Sequence, residues 1–306
     1  MNPKIKIENI SKSYENVKAL SNISLDIYQS ELFGFIGPDG TGKTTLFRIL
    51  ASLLLADTGK ANVAGLDVVK DYKILRTKLG YMPGRFSLYH DLTVEENLKF
   101  FAGIFKTTVK ENYHLIEDIY AQIEPFKNRK AGDLSGGMKQ KLALSCALIH
   151  KPEVLLLDEP TTGVDAVSRI EFWEMLNKLK QQGITIVVST PYMDEAARCD
   201  RIALIQNGEI MSIDKPDRVV QTFTKKLYGV KAEDMYNLVV LLRTYPHCHS
   251  AYLFGEWIHF STISEIDPHH LKEFLSANKM KNIYITDLEP DIEDSFMELM
   301  NKKTKA

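Results

Sequence analysis

A glycine-rich segment near the amino terminus constrains this chain more than any other feature. Gly37–Thr44 reads Gly-Pro-Asp-Gly-Thr-Gly-Lys-Thr and has the pattern G-x-x-x-x-G-K-[ST]. It follows a run that is apolar on both faces, Leu32–Ile36, and precedes a helical run predicted over Thr44–Leu55. Glycines let successive backbone N–H groups turn inward, and the helix start adds the positive end of its dipole. This context predicts a phosphate-binding loop rather than a chance glycine turn.

Each part of this loop has an expected role. The Lys43 ammonium would reach the β- and γ-phosphates of a nucleotide, and the Thr44 hydroxyl would ligate Mg²⁺. The residues of this segment that are predicted to bind nucleotide are Gly37, Pro38, Asp39, Gly40, Thr41, Gly42, Lys43, Thr44 and Thr45.

A second apolar run ends in two acids. Val154–Leu157 is followed directly by Asp158 and Glu159. Neighbouring side chains on a strand point to opposite faces, so the two acids cannot do the same job. At the carboxyl end of a parallel strand, Asp158 would hold the Mg²⁺ shell, and Glu159 would act as the catalytic residue that positions or activates water. Taken alone, a solvated Asp-Glu turn after a core strand explains the pair equally well.

A serine followed by two glycines opens a further predicted helix, which runs to about Ile149. Ser135, Gly136 and Gly137 would form a second anion cradle at this helix start and are predicted to contact nucleotide. Taken alone, a plain helix cap is the simpler explanation of the same three residues.

Together these segments resemble the nucleotide-binding domain of ATP-binding-cassette (ABC) proteins. The motifs, in the order found in that family, are Gly37–Thr44, Leu134–Met138 and Leu155–Pro160. The likeness covers about Met1 to Val220, and Thr161–Asp165 resembles the D-loop of the family. Tyr14 matches the aromatic residue that stacks on adenine in these proteins, although a strand-packing tyrosine is the alternative.

The resemblance implies an α/β fold, a P-loop NTPase of the ABC type with a parallel-sheet core, an antiparallel β subdomain and a helical insertion. It implies ATP and Mg²⁺ as ligands. Two such domains would pair head to tail, as a homodimer or a heterodimer. Each ATP would then lie on the Lys43-type loop of one chain and be closed over by the Ser135–Gly137-type loop of the other.

The sequence pattern divides the chain into two predicted domains. Residues 1–222 carry the motifs, and the mostly helical stretch at about 84–150 is interpreted as an insertion. After Pro216 the order becomes strand, helix, two strands, helix and strand, with the first helix predicted over Ala232–Arg243. That order is the ferredoxin-like pattern, so residues 223–306 are predicted to form a small C-terminal α+β accessory or regulatory domain.

Composition limits the partners and the location. The formal net charge of −2 and the pI of about 6.5 provide no basic field for nucleic acid. The chain has no apolar run of about 18 residues, the length that a membrane-spanning helix needs. Its three cysteines lack zinc-like or disulfide-like spacing, and this fits a reducing cytosol. We expect a cytoplasmic subunit that is peripheral on the inner face of the cell membrane through a membrane-spanning permease.

Further residues indicate an exporter and an unusual half-site. Glu289–Leu299 resembles the terminal segment common in exporter ATPases of the family. Together with Tyr81–Pro83 and Ser189–Ala196, this resemblance favours the multidrug-type exporter branch. Gly84 stands where the family usually has a glutamine that contacts Mg²⁺ and the attacking water. Pro191 stands where it usually has a histidine that touches the γ-phosphate. The resemblance therefore implies slow hydrolysis in the half-site of this chain, and it favours pairing with a different chain.

Two alternative functions are weighed against transport. A non-transport ABC ATPase usually carries two cassettes, a long coiled coil or a basic surface, and the sequence shows none of these. An ATP-sensing regulatory subunit would fit Gly84 and Pro191, but the presence of Glu159 argues against complete loss of catalysis.

Two other groups of residues carry weaker signals. The segment His247-Cys248-His249 and the pair His269-His270 lack other ligands at zinc-like spacing. Phe100, Phe101 and Phe105 have helical spacing, which predicts core packing rather than a docking surface.

Overall fold

The computed structural model of the chain describes residues 2–304 and shows two compact units. Unit 1 is Met1–Pro216 and unit 2 is Asp217–Ala306. The division at Pro216 lies slightly before the boundary that the sequence pattern suggested, after residue 222.

Two sheets form the framework of unit 1. Their strands are β1 (Ile5–Tyr14), β2 (Val17–Ile27), β3 (Leu32–Ile36), β4 (Thr58–Val63), β5 (Leu66–Asp67), β6 (Leu79–Met82), β7 (Val154–Asp158), β8 (Thr185–Thr190), β9 (Arg201–Gln206) and β10 (Glu209–Asp214). The antiparallel sheet has the order β2-β1-β4-β5, and the other sheet has the order β10-β9-β3-β8-β7-β6. In the second sheet β6, β7, β8, β3 and β9 run parallel, and β10 is antiparallel to β9.

The parallel strands bring the predicted motifs to one edge. Every residue of β3, β7 and β8 is buried, as expected for strands with both faces covered. In the register of the sheet, Ile36 pairs with Thr190 and Asp158 pairs with Ser189. Because parallel strands end at the same edge, the loop after β3 and the two acids at the end of β7 lie at one edge of the sheet.

Helices complete unit 1. They are α1 (Lys43–Leu50), α2 (Tyr72–Lys78), α3 (Val94–Ile104), α4 (Val109–Tyr120), α5 (Gly136–Leu148) and α6 (Ala166–Gln181), and α7 (Pro216–Gln221) begins at the division between the units. The Thr93 hydroxyl accepts the Glu96 N–H at the start of α3, and the Glu96 carboxylate accepts the Thr93 N–H. Such a capping box satisfies two N–H groups that the helix itself cannot pair, and a cap is worth about 1 kcal/mol.

The prediction that the first helix reaches Leu55 is wrong. Helix α1 ends at Leu50, because Ser52 adopts a left-handed backbone conformation with φ of 57°. The N–H groups of Leu53 and Leu54 both turn back to the carbonyl of Arg48. This arrangement satisfies the last carbonyls and stops the helix, and it leaves Leu53 and Leu55 exposed.

Unit 2 has the ferredoxin-like arrangement that the order of its elements predicts. Its elements are β11 (Lys226–Lys231), α8 (Met235–Leu242), β12 (Cys248–Phe254), β13 (Trp257–Thr262), α9 (Pro268–Ala277), β14 (Tyr284–Asp287) and α10 (Ile292–Thr304). The antiparallel sheet has the order β12-β13-β11-β14. Helix α8 begins three residues later than predicted, because the Asp234 side chain caps it by accepting the Asn237 N–H.

Helix α10 is attached to this sheet by polar pairs. Ile258 and Phe260 of β13 belong to the apolar core that includes Leu238 of α8, so His259 between them points to the opposite face. There the His259 ring lies 2.9 Å from the Asp294 carboxylate. His249 lies 2.6 Å from Glu298, so one of the histidines considered above as a metal ligand is part of a structural pair.

Candidate nucleotide-binding site

The loop between β3 and α1 is shaped by glycines that no larger residue could replace. A Cβ on Gly37 would lie 2.2 Å from the Ile205 carbonyl oxygen, and a Cβ on Gly42 would lie 2.2 Å from that of Ala19. Gly42 also has a φ of 99°, a conformation that favours glycine. The loop therefore passes close to neighbouring backbone and opens into the amino terminus of α1.

Lys43 is the buried cation of this loop. Its ammonium donates to the carbonyls of Gly37 at 2.7 Å and Pro38 at 2.9 Å, and only 3% of the residue is exposed. Glu159 Oε1 lies 3.6 Å away. Burial lowers the pKa of Lys43 from its usual value, and the nearby Glu159 and Asp39 carboxylates oppose this effect. A charge held in so dry a place interacts strongly with an anion that enters the loop.

Asp158 and Thr44 bring oxygen ligands together beside the loop. The Thr44 hydroxyl donates to Asp158 Oδ1 at 3.2 Å, and Asp158 is almost completely buried. Mg²⁺ prefers oxygen ligands and is commonly bound by one or two protein oxygens with phosphates and water. The donor set present here therefore fits Mg²⁺ in a nucleotide complex.

Glu159 has the conformation and the environment of a functional acid. Its φ is 50°, which is uncommon for a residue with a side chain. Burial raises the pKa of Glu159 above its usual value, and the Lys43 ammonium partly opposes that shift. A carboxylate with a raised pKa is a better proton acceptor than an exposed one.

Tyr14 and the serine-glycine segment make other contacts. Tyr14 lies at the end of β1, is 43% exposed and has the Lys12 ammonium 5.9 Å from its ring centroid. Its ring is thus not buried in the core. Ser135 caps α5 by accepting the Met138 N–H at 3.4 Å. The adjacent glycines approach residues 163–168, where a Cβ on Gly137 would lie 2.9 Å from the Ser168 hydroxyl.

Gly84 and Pro191 both lie next to the cluster. A Cβ on Gly84 would lie 3.1 Å from the carbonyl oxygen of Asp158. Pro191 directly follows Thr190, whose carbonyl accepts the Gly37 N–H at 3.2 Å. Neither Gly84 nor Pro191 has a side chain that can form a hydrogen bond.

The structure adds polar residues that the sequence pattern did not assign to the nucleotide site. The Ser189 hydroxyl bonds to Asp158, and the buried Thr190 hydroxyl donates to Glu195. Arg169 of α6 pairs with Asp194 at 2.8 Å. Two adjacent hydroxyl residues at the end of a buried strand, Ser189 and Thr190, could be seen in the sequence. Only the structure shows that they bond to Asp158 and Glu195.

An apolar groove of about 410 Å³ lies beside the site in unit 1. Phe101 and Phe105 line it, together with Leu53, Met82 and Ala143. The prediction that the three phenylalanines pack in the core is wrong, because Phe100 is 41% exposed and the other two are only partly buried. The helical spacing showed that these phenylalanines share one face, but it could not show that this face borders an open groove.

The loop, the buried lysine and the paired acids at the end of a parallel sheet define a P-loop protein for nucleoside triphosphates. Comparisons with known proteins narrow this class. A family model described as ABC transporter matches residues 20–162. The Nod factor export ATP-binding protein I of Rhizobium meliloti (strain 1021) is 31% identical, with 98% of this chain and 89% of that protein covered. The chain therefore belongs to the ATP-binding proteins of the ABC transporter family.

Other similar proteins agree with this family. One is the probable multidrug ABC transporter ATP-binding protein YbhF of Escherichia coli (strain K12), which is 37% identical over 92% of this chain. The present chain spans about half of the length of that relative, 49%. The solved structure of cbiO1 from Clostridium perfringens, part of the ABC transporter complex cbiONQ, has 26% identity and a TM-score of 0.65, covering 72% of this chain and 92% of that one.

A second solved structure is the dimeric, post-hydrolysis state of the ATP-binding cassette MJ0796 bound to ADP and Pi. It has 28% identity and a TM-score of 0.63, covering 69% of this chain and 98% of that one. Across residues 2–304 of the present chain, no helix combines the length and the apolar character needed to cross a membrane.

Proposed function

We propose that this chain is the ATP-binding and ATP-hydrolysing subunit of an exporter and acts through a separate membrane-spanning permease. The observation that carries the proposal is the cluster of Lys43, Thr44, Asp158 and Glu159 at the carboxyl edge of the parallel sheet. Two relatives named for multidrug transport and Nod factor export support the exporter assignment. The presence of Glu159 argues against a purely regulatory subunit, and neither of these relatives is named for a non-transport function.

The residues divide the work of hydrolysis between them. Backbone N–H groups of residues 39–44 would hold the phosphates, and the Lys43 ammonium would turn from the loop carbonyls to the β/γ oxygens. Thr44 and Asp158 would hold Mg²⁺, which would supply positive charge against the phosphate oxygens. Glu159 accepts a proton from the attacking water, because its raised pKa makes it a competent base.

The closed site requires a second ATP-binding domain. Ser135 and Gly136 are exposed, so this segment is available to cover a nucleotide on another copy or relative. A similar cassette whose solved structure is a dimer with ADP and Pi supports this arrangement. Tyr14 would stack on the adenine at the open side of the loop.

Gly84 and Pro191 make this chain's own half-site slow and favour a heteromeric pair. Both positions adjoin the cluster, and neither contributes a hydrogen bond there. Loss of one preorganised contact to developing charge costs about 10²–10³ in rate. The intact Ser135–Gly137 segment would complete a faster site on a partner that supplies the missing side chains.

The apolar groove beside Phe101 and Phe105 would receive a helical segment of the permease. The exposed leucine Leu53, at 55%, extends its rim, and such a surface is unusual for a chain without a partner. Docking there would keep the chain on the cytoplasmic face of the membrane. It would also join the permease to the segment containing Gly84, which lines the same groove.

Co-purification from detergent-solubilised membranes tests this proposal. The tagged chain should bring down a polytopic membrane protein and should bind MgATP. Leu53→Asp should lose the membrane protein and retain MgATP, because it changes only the rim. The matched control is Leu253→Asp in unit 2, which is exposed to a similar extent, 52%. Co-purification of ribosomes or DNA instead, or equal effects of the two variants, would contradict the proposal.

A further inference from the structure

Ser189 occupies a central place in the parallel sheet. It is fully buried near the end of β8, between β3, which leads into the phosphate-binding loop, and β7, which ends at Asp158. In the register of the sheet it pairs with Phe35 on one side and with Asp158 on the other. Its side chain is therefore placed by the backbone of the strands themselves.

The Ser189 hydroxyl bonds to both acids of the candidate site. It donates to Asp158 Oδ1 at 2.6 Å and accepts the backbone N–H of Glu159 at 3.0 Å. The same Glu159 N–H also lies 3.0 Å from the Ser189 carbonyl. A hydroxyl has one proton to donate, so donation to Asp158 leaves its oxygen lone pairs for Glu159.

The contact gains importance when nucleotide enters. Thr44 also donates to Asp158 Oδ1, but its hydroxyl is the one expected to turn toward Mg²⁺. Asp158 would then keep the hydrogen bond from Ser189. Loss of that bond would be unfavourable, because a buried carboxylate without hydrogen-bond donors is costly in free energy. Groups that hold a metal ligand in place typically change metal affinity by 10–100-fold when removed.

We propose that Ser189 is a positioning residue that fixes the Asp158 carboxylate for Mg²⁺ and holds the backbone of Glu159 in its left-handed conformation. The inference rests on the proposed MgATP function. It predicts that the Mg²⁺ concentration needed for nucleotide binding depends on the Ser189 hydroxyl and not on that of Thr185, at the other end of β8.

The test is the Mg²⁺ concentration needed for half-maximal ATP binding by the full chain, with ATP binding in excess EDTA as reference. Ser189→Ala should raise this concentration about 10-fold and leave Mg²⁺-free ATP binding unchanged. Ser189→Cys, which preserves size but donates weakly, should behave similarly. Thr185→Ala removes a buried hydroxyl at the other end of β8, where it accepts the Ser30 N–H, and should change neither quantity.

The possible failures are distinguishable. If the unaltered chain binds MgATP and the cysteine variant keeps the normal Mg²⁺ requirement, the role of Ser189 is contradicted while the proposed function stands. Equal losses with and without Mg²⁺ would likewise contradict it. If the unaltered chain binds no MgATP, both proposals fall.

Discussion

Both units bury polar groups, but they place them differently. In unit 1, buried Lys43, Asp158 and Ser189 meet at the ends of three parallel strands beside an open loop. In unit 2, buried Asp294 and Glu298 pair with histidines and attach α10 to the sheet. The first arrangement leaves a cation and two acids facing a place where a ligand can enter. The second pairs its acids internally and so has the character of a structural attachment.

The comparisons with known proteins cover different shares of the chain. The solved cassettes described above cover 69–72% of the chain, which is close to the share that unit 1 occupies. The Nod factor export relative covers 98%. We infer that unit 1 supplies the general ATP-binding machinery and that unit 2 is an accessory or regulatory domain shared with particular exporter-type relatives.

Replacing one buried or partly buried glutamate by glutamine in each unit should show the largest difference between the two units. Glu159→Gln should lower single-turnover ATP hydrolysis by about 10²–10³-fold and preserve ATP binding, because it removes the base but keeps the shape. Glu298→Gln in unit 2 should leave hydrolysis within about twofold. Rapid-quench measurement of phosphate release checks both variants. A chain whose hydrolysis is unaffected by Glu159→Gln would not have the site described for unit 1.

Restoring the usual family residues at positions 84 and 191 should raise the rate of ATP hydrolysis by unit 1. Gly84→Gln combined with Pro191→His should raise steady-state turnover of the assembled complex by about 10-fold or more, since each contact to developing charge contributes strongly. A Cβ at position 84 would require a shift of only a few tenths of an ångström from Asp158. Turnover that remains unchanged would count against the slow half-site.

The pH dependence of hydrolysis should come from unit 1. Because burial raises the pKa of Glu159, its base form should be lost as pH falls through a value above that of an exposed glutamate. Because burial lowers the pKa of Lys43, nucleotide affinity should fall at alkaline pH earlier than for an exposed lysine. Single-turnover rates across pH, with Glu159→Gln as control, should show an acidic limb that the variant lacks.

Unit 2 should show a smaller pH effect on stability alone. Burial opposes the charged form of His259, but the hydrogen bond and charge of Asp294, with Asp291 and Glu293 nearby, raise its pKa overall. A raised pKa contributes stability below the unfolded value, and that stability is lost as pH rises through the folded value. His259→Gln should therefore weaken α10 by about 1 kcal/mol at pH 5.5 and by less at pH 8.5.

Hydrogen exchange in α10 provides the measurement for this prediction. The matched control is His269→Gln, since His269 is 73% exposed and pairs loosely with Glu273 at 3.4 Å. It should have little effect at either pH. An equal loss of protection at both pH values for His259→Gln would show that packing, and not charge, holds α10.

The sequence predicted those parts of the site that are contiguous along the chain. Gly37–Thr44 and Asp158-Glu159 each carry their own strand and turn context, and the structure brings them together. The ferredoxin-like arrangement of unit 2 also followed from the order of its elements. Ser189 was not identified as part of the site, because its role depends on the register between β7 and β8, across about 30 residues of chain.

Two predictions from the sequence were wrong, those for the end of α1 and for the burial of Phe100. Their physical causes cannot be seen in residue propensities or periodicity. The end of α1 depends on the left-handed conformation of Ser52, which is an uncommon choice for serine. The exposure of Phe100 depends on which neighbouring elements cover α3, and a helical pattern specifies a face but not what lies against it.

The most direct test of the account is equilibrium binding of MgATP to the unaltered chain and to Lys43→Ala. We expect saturable binding that Lys43→Ala weakens at least 10-fold, because the buried ammonium is the main cation of the loop. The matched control, Lys78→Ala, removes an exposed partner of Glu153 and should bind normally. Equal affinity in the unaltered chain and in Lys43→Ala would contradict the account.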